Sequence, residues 1–168
     1  VGCALLLTVF LGATFAADSP APLFGQAGRQ AFFIITSVYG WHRWQQIRAI
    51  RAAGGQDAEE AITPRWASAA ERISYLLVAV LLLVVLQWLF SVIGAGFPAP
   101  RWYYWSDAWV FVGSMLATYA MARGWNDFWL MWIAVDLVGV PVLWHNQLYP
   151  SAIMFIVYGA FVVWGFFV

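Results

Sequence analysis

The segment WNDFWLMWIAVD, residues 125–136, ends on an aspartate inside one of the most apolar runs of the chain. A carboxylate in hydrocarbon is costly, so its presence there has to be answered by a partner, a cavity or a ligand. On a helix turning about 100° per residue, Trp129, Trp132 and Asp136 fall within about 60° of one another and share one face. Asn126 suits the N-cap of that helix, and Asp127 in its first turn suits the positive end of the helix dipole. Asp136 then lies about 13 Å further along the axis, close to the middle of a bilayer. Two chemistries fit. In one, the carboxylate faces a polar cavity and accepts hydrogen bonds from a ligand whose flat ring stacks on the indoles. In the other, Asp136 pairs with a buried donor and locks helix packing, while the tryptophans are interface anchors.

A second stripe lies on the segment 26–45, where Gln26, Gln30, Phe33, Ser37, Trp41 and Trp44 cluster on one side. Amides, a hydroxyl and aromatic rings on one helix face suit a planar ligand with polar edges; interhelical hydrogen bonding explains Gln30 and Ser37 as well. Ser114 and Thr118 form a polar pair one turn apart, facing either a cavity or a packing seam. Arg29 is expected near the outer boundary, pairing with Asp107 or snorkelling. Asp107, with Ser106, is expected to cap its own helix. Trp102, Tyr103, Tyr104 and Trp105 read as an interfacial belt, and Gly139 with Pro141 as a kink beyond the acid.

Composition sets the class. Hydrophobic residues make up 64% of the 168-residue chain and charged ones 10%, against roughly 25% charged in a soluble domain. The reading is an all-α, polytopic membrane bundle in contact with the lipid bilayer. The net charge is zero, so no basic surface points to nucleic acid. Cys3 is the sole cysteine and His42 and His145 stand on separate segments, so no metal site is expected. No glycine-rich loop precedes a basic residue, and no serine or cysteine has a histidine placed to activate it. Neither an enzyme nor a cofactor is expected.

Spanning a bilayer takes about 20 mostly apolar residues. Five full helices are expected at 26–45, 74–94, 107–123, 127–144 and 150–168. The opening VGCALLLTVFLGATFAA reads as a partial helix cut at its start. A signal peptide is disfavoured because a basic lead-in is missing, although FAADS resembles a cleavage site. Pro- and aromatic-rich connectors separate the helices, and one polar segment, 42–72, carries Arg43, Arg48, Arg51, Arg65 and Arg72 alongside Asp57, Glu59, Glu60 and Glu71. If that segment is cytoplasmic, Arg123 joins it, leaving Arg29 and Arg101 outside: six arginines against two. This places the C-terminus in the cytoplasm. Residues 23–41 also overlay residues 148–166 without gaps, matching Leu23, Ala27, Val38 and Gly40 to Leu148, Ala152, Val163 and Gly165. Two helices crossing in the same direction fit a parallel duplication around a linking helix, an arrangement that binds substrate between the halves.

The same residues carry a family resemblance. WLMWIAVD resembles the W-x-x-W-x-x-x-D/N signature of the PnuC vitamin-precursor transporters, and YGWHRW resembles their recurring helix end. The similarity extends over nearly everything from Leu23 onward, with 46–62 and 73–105 matched loosely, and is strongest to the actinobacterial riboflavin-transporting branch called RibM or PnuX. It implies a SWEET-like fold of three helices, a linker helix and three more, truncated at the N-terminus. The whole of 1–168 would then be one transporter domain, with 1–45 ending the first repeat, 74–94 as linker and 107–168 as the second repeat. It implies a facilitator in the bacterial inner membrane that takes up riboflavin by alternating access without ATP. Nicotinamide riboside or thiamine as cargo, or a role as the vitamin-binding subunit of an ATP-driven transporter, are the alternatives. By the same resemblance Gln30, Trp129, Trp132 and Asp136 are expected to contact substrate, with Ser37, Trp41 and Tyr158 added. Cys3 departs from the asparagine expected at its position, and a homo-oligomer is compatible with the pattern.

Overall fold

The computed structural model describes residues 2–16, 19, 21–52 and 63–167. Asp57, Glu59 and Glu60 of the polar segment, and Ala17 and Asp18 of FAADS, lie outside the described residues. The described chain is all-helical: α1 (Gly2–Thr14), α2 (Phe24–Ala52), α3 (Ala69–Ile93), α4 (Arg101–Ala122), α5 (Phe128–His145) and α6 (Tyr149–Phe167). Helices α3, α5 and α6 are each long and apolar enough to cross a membrane. α3 turns Leu77, Val80, Leu81 and Trp88 outward, as a helix facing acyl chains does.

Three boundaries differ from the expected ones, each for a local reason. α2 runs on to Ala52, because HRWQQIRAIRA consists largely of helix formers with arginines toward the negative end of the dipole. α3 starts at Ala69 because Ser68 and Glu71 form a capping box: the Ser68 hydroxyl accepts from the Glu71 amide at 3.3 Å while the Glu71 carboxylate accepts from the Ser68 amide at 2.8 Å. α4 begins at Arg101, so the four aromatics read as a belt are wound on a helix. Its period splits them: Tyr103 and Tyr104 are buried, while Trp102 and Trp105 face out. The Tyr104 hydroxyl donates to the Gly94 carbonyl at 2.8 Å, and Asn146 Nδ2 donates to the Tyr103 hydroxyl at 3.1 Å.

α4 is the hub. It packs against α2, α3 and α5, while α1 leans on α2 and α6 on α5. Ala108, Gly113, Ser114, Ala117 and Ala120 lie along its buried surface, and small residues of this kind let helix backbones approach. Ser114 and Thr118 return their hydroxyls to Val110 and Ser114 carbonyls of the same helix, so neither donor requires a partner on another helix. Asp107 is not a cap for α4, whose N-cap is Pro100. It is buried and its carboxylate accepts from the amides of Gly25 and Gln26, so it caps α2 from across the interface. Two of the unpaired N–H groups that begin any helix are thereby satisfied.

The start of α5 is tied down in a comparable way. The N-cap is Asp127, not Asn126, and it makes no side-chain cap bond. Its carboxylate instead accepts from the Ala67 amide and from Arg72 Nε, both at 2.8 Å. Arg65 meets Trp125 in an isolated parallel bridge and pairs with Glu71 at 2.6 Å. The segment leading into α3 is thus strapped onto the α4–α5 turn.

Candidate substrate-binding site

A cavity of about 580 Å³ lies where α1 and α2 face α5 and α6, within the roughly 300–1,000 Å³ range of small-molecule sites. α2 contributes Arg29, Gln30 and Phe33; α5 contributes Phe128, Trp129, Trp132 and Asp136; α6 contributes Ser151, Met154, Phe155, Tyr158 and Val162. Cys3, Leu6 and Phe10 of α1 close a further side. At one end the cavity is backed by the buried cluster of Phe10, Leu23, Tyr103, Leu143 and Phe155. Of the seven residues singled out from sequence, the structure brings Gln30, Trp129, Trp132, Asp136 and Tyr158 to this one space. Ser37 and Trp41 lie outside its lining, on the exposed face of α2.

The walls combine flat apolar surface with unpaired polar atoms. Trp132 sits 6.0 Å from Phe33, ring centre to ring centre, joining α5 to α2, and Phe128 and Trp129 are 4.3 Å apart. Gln30 is buried with its Oε1 lacking any hydrogen-bond partner, and Arg29 is buried with its Nε in the same condition. The Arg29 guanidinium lies 4.3 Å over the Phe155 ring. Buried polar atoms normally find partners, so unsatisfied ones bordering a void mark a place where a ligand's polar edge can complete them. Among the described residues no cluster of His, Cys, Asp or Glu is arranged to hold a metal ion.

In the overlay of 23–41 on 148–166, Arg29, Gln30 and Phe33 match Met154, Phe155 and Tyr158, and both sets line the cavity. A family model described as nicotinamide mononucleotide transporter matches residues 1–168. The chain belongs to this transporter family. It is also 38% identical over 143 residues to the riboflavin/roseoflavin transporter RibM of Streptomyces davaonensis, a match covering 85% of this chain and 62% of the relative. The chain therefore spans less than two thirds of that relative's length. No solved structure matches.

In this member of the nicotinamide mononucleotide transporter family, the residue that sequence reasoning misplaced is Arg29. It neither snorkels nor pairs with Asp107, whose oxygens are occupied by α2 amides; it turns into the cavity. The signal was available, because Arg29 stands three residues after Gln26 and four before Phe33, on the same helical stripe. Backbone proximity positions the α5 side chains. A Cβ on Gly165 would lie 2.6 Å from the Trp129 indole, and one on Gly159 would lie 3.2 Å from an Asp136 carboxylate oxygen. Gly165→Ala is accordingly expected to push the rigid indole off its seat and weaken ligand binding about 5- to 10-fold, since losing good aromatic contact is worth around 1 kcal/mol. Intrinsic tryptophan fluorescence and a binding titration on the purified variant measure both effects.

Proposed function

We propose that this chain takes up riboflavin across a bacterial cytoplasmic membrane by alternating access, without ATP. The observation that carries the reading is the pairing of aromatic faces from two helices with buried, unpartnered polar atoms in one cavity. The tricyclic ring stacks on Trp129 or Trp132, and Gln30 and Asp136 hydrogen-bond the ring edge or the ribityl chain, with Tyr158 lining the opposite wall. The 38% identity to a riboflavin/roseoflavin transporter points to the same cargo. Matched residues of α2 and α6 facing the cavity support the two-repeat organisation, with 74–94 as the linker. The arginine-rich 42–72 side and the C-terminus lie in the cytoplasm on this reading, which turns the packed end of the cavity toward the outside.

Titrating purified protein into riboflavin and following quenching of flavin fluorescence tests binding. Uptake into vesicles holding this protein alone, with no nucleotide, tests the mechanism. Quenching with saturable uptake supports the proposal. Binding without uptake redirects it toward a subunit of an ATP-driven assembly. The Asp136 carboxylate gives one reason to keep a cationic vitamin, thiamine or nicotinamide riboside, as the second reading, and either one displacing riboflavin at lower concentration than riboflavin itself would establish that cargo instead.

A further inference from the structure

We infer that Arg29 sets the charge selectivity of the cavity, so that it accepts a neutral ring with an imide edge and turns away cationic vitamins. The inference rests on this cavity being the vitamin site proposed above. Arg29 is 5% exposed, and among the described residues no carboxylate comes within ion-pair distance of it. Two carboxylates lie near enough to act on its charge, Asp136 and then Asp107, and Asp107 is committed to the Gly25 and Gln26 amides. What holds the guanidinium in place is aromatic: Phe155 at 4.3 Å and Phe33 at 5.9 Å.

An arginine side chain stays charged and offers five donors with no acceptor of its own. Here it brings a fixed positive charge to one wall, while Asp136 brings a carboxylate to another. The two nearly balance, which favours a ligand with no net charge. A pyridinium or thiazolium ring would add a second cation beside the buried guanidinium. Like charges brought together in such surroundings oppose binding strongly. The neighbouring unpaired atoms also dictate an edge pattern. Arg29 needs an acceptor, and the Gln30 Oε1 one residue away needs a donor. A ring edge reading carbonyl, N–H, carbonyl supplies both from adjacent atoms, and that is the imide edge of a flavin. Thiamine and nicotinamide riboside carry no such edge.

The test compares riboflavin, 3-methylriboflavin, thiamine and nicotinamide riboside on the purified wild-type protein, then repeats the set on Arg29→Met and Arg29→Lys. In the wild type, blocking the imide nitrogen in 3-methylriboflavin is expected to weaken binding about 10-fold or more. In Arg29→Met the lone Asp136 carboxylate is left, and the preference for riboflavin over the cations is expected to fall about 10- to 100-fold. Arg29→Lys keeps the charge and is expected to keep rejecting cations, although it loses the forked donor geometry. If riboflavin binds but the methylated flavin binds as well, and the preference of Arg29→Met equals that of the wild type, the inference is overturned while the cavity reading stands. If the wild type binds no riboflavin, both fall. Should Arg29→Met fail to fold, the methylated flavin on the wild type decides alone.

Discussion

Asp136→Ala is expected to weaken riboflavin binding roughly 10- to 150-fold, because a hydrogen bond to a charged group typically contributes about 1.5–3 kcal/mol. The carboxylate sits on the cavity wall beside Trp132, and the helix opposite makes room for it at Gly159. Asp136→Asn separates two ways in which the acid can act. If it accepts hydrogen bonds from a neutral ligand, the amide oxygen retains one acceptor and the loss stays within about 5-fold. If it holds a cation by charge, the amide is nearly as damaging as alanine. Flavin quenching titrations on both variants read the difference. A packing role predicts another pattern: both variants lower the unfolding midpoint, and binding to the folded fraction is unchanged. Unaltered affinity in a well-folded Asp136→Ala protein removes Asp136 from the site.

Much of this arrangement was legible because helical periodicity is a local property. The spacing of Trp129, Trp132 and Asp136 follows from about 100° per residue, and the cavity does receive all three. The same rule gave Gln30 and Phe33. At Ser37 and Trp41 the stripe continues along α2 beyond the lining of the cavity. Periodicity reports direction around a helix and says nothing of how far along it the neighbouring helices reach. The expectation for Asp107 failed. A cap on one's own helix is visible as sequence proximity, whereas a carboxylate that caps α2 from α4 depends on a crossing between residues some 80 positions apart. Arg29 combines both difficulties: its stripe was readable, but its freedom to face the cavity follows only once Asp107 is engaged elsewhere. The earlier start of α3 is different again, since Ser68 and Glu71 carry a capping signature that could have been read directly.

The α2–α4 crossing is also where the largest loss of stability is expected. Gly25 packs so closely on α4 that a Cβ there would run into the Asp107 backbone carbonyl. A flexible side chain could yield, but a helix backbone cannot do so without moving the whole element. Gly25→Ala is therefore expected to destabilise the protein by about 3 kcal/mol, the upper end of ordinary overpacking. Asp107→Ala attacks the same joint from the other side. It removes the acceptor for the Gly25 and Gln26 amides and leaves two buried donors unpaired, at about 1–3 kcal/mol each. Asp107→Asn, which keeps one acceptor oxygen, is expected to fall between that variant and the wild type. Both α2 polar residues of the cavity, Arg29 and Gln30, lie within about one and a half turns of this joint, so displacing it moves them together. Denaturant unfolding in detergent with parallel riboflavin titrations is expected to show stability and affinity falling in step for Gly25→Ala. A Gly25→Ala protein that unfolds with the wild type would mean that α2 and α4 do not cross at this distance, and the register that carries Arg29 and Gln30 into the cavity would have to be redrawn.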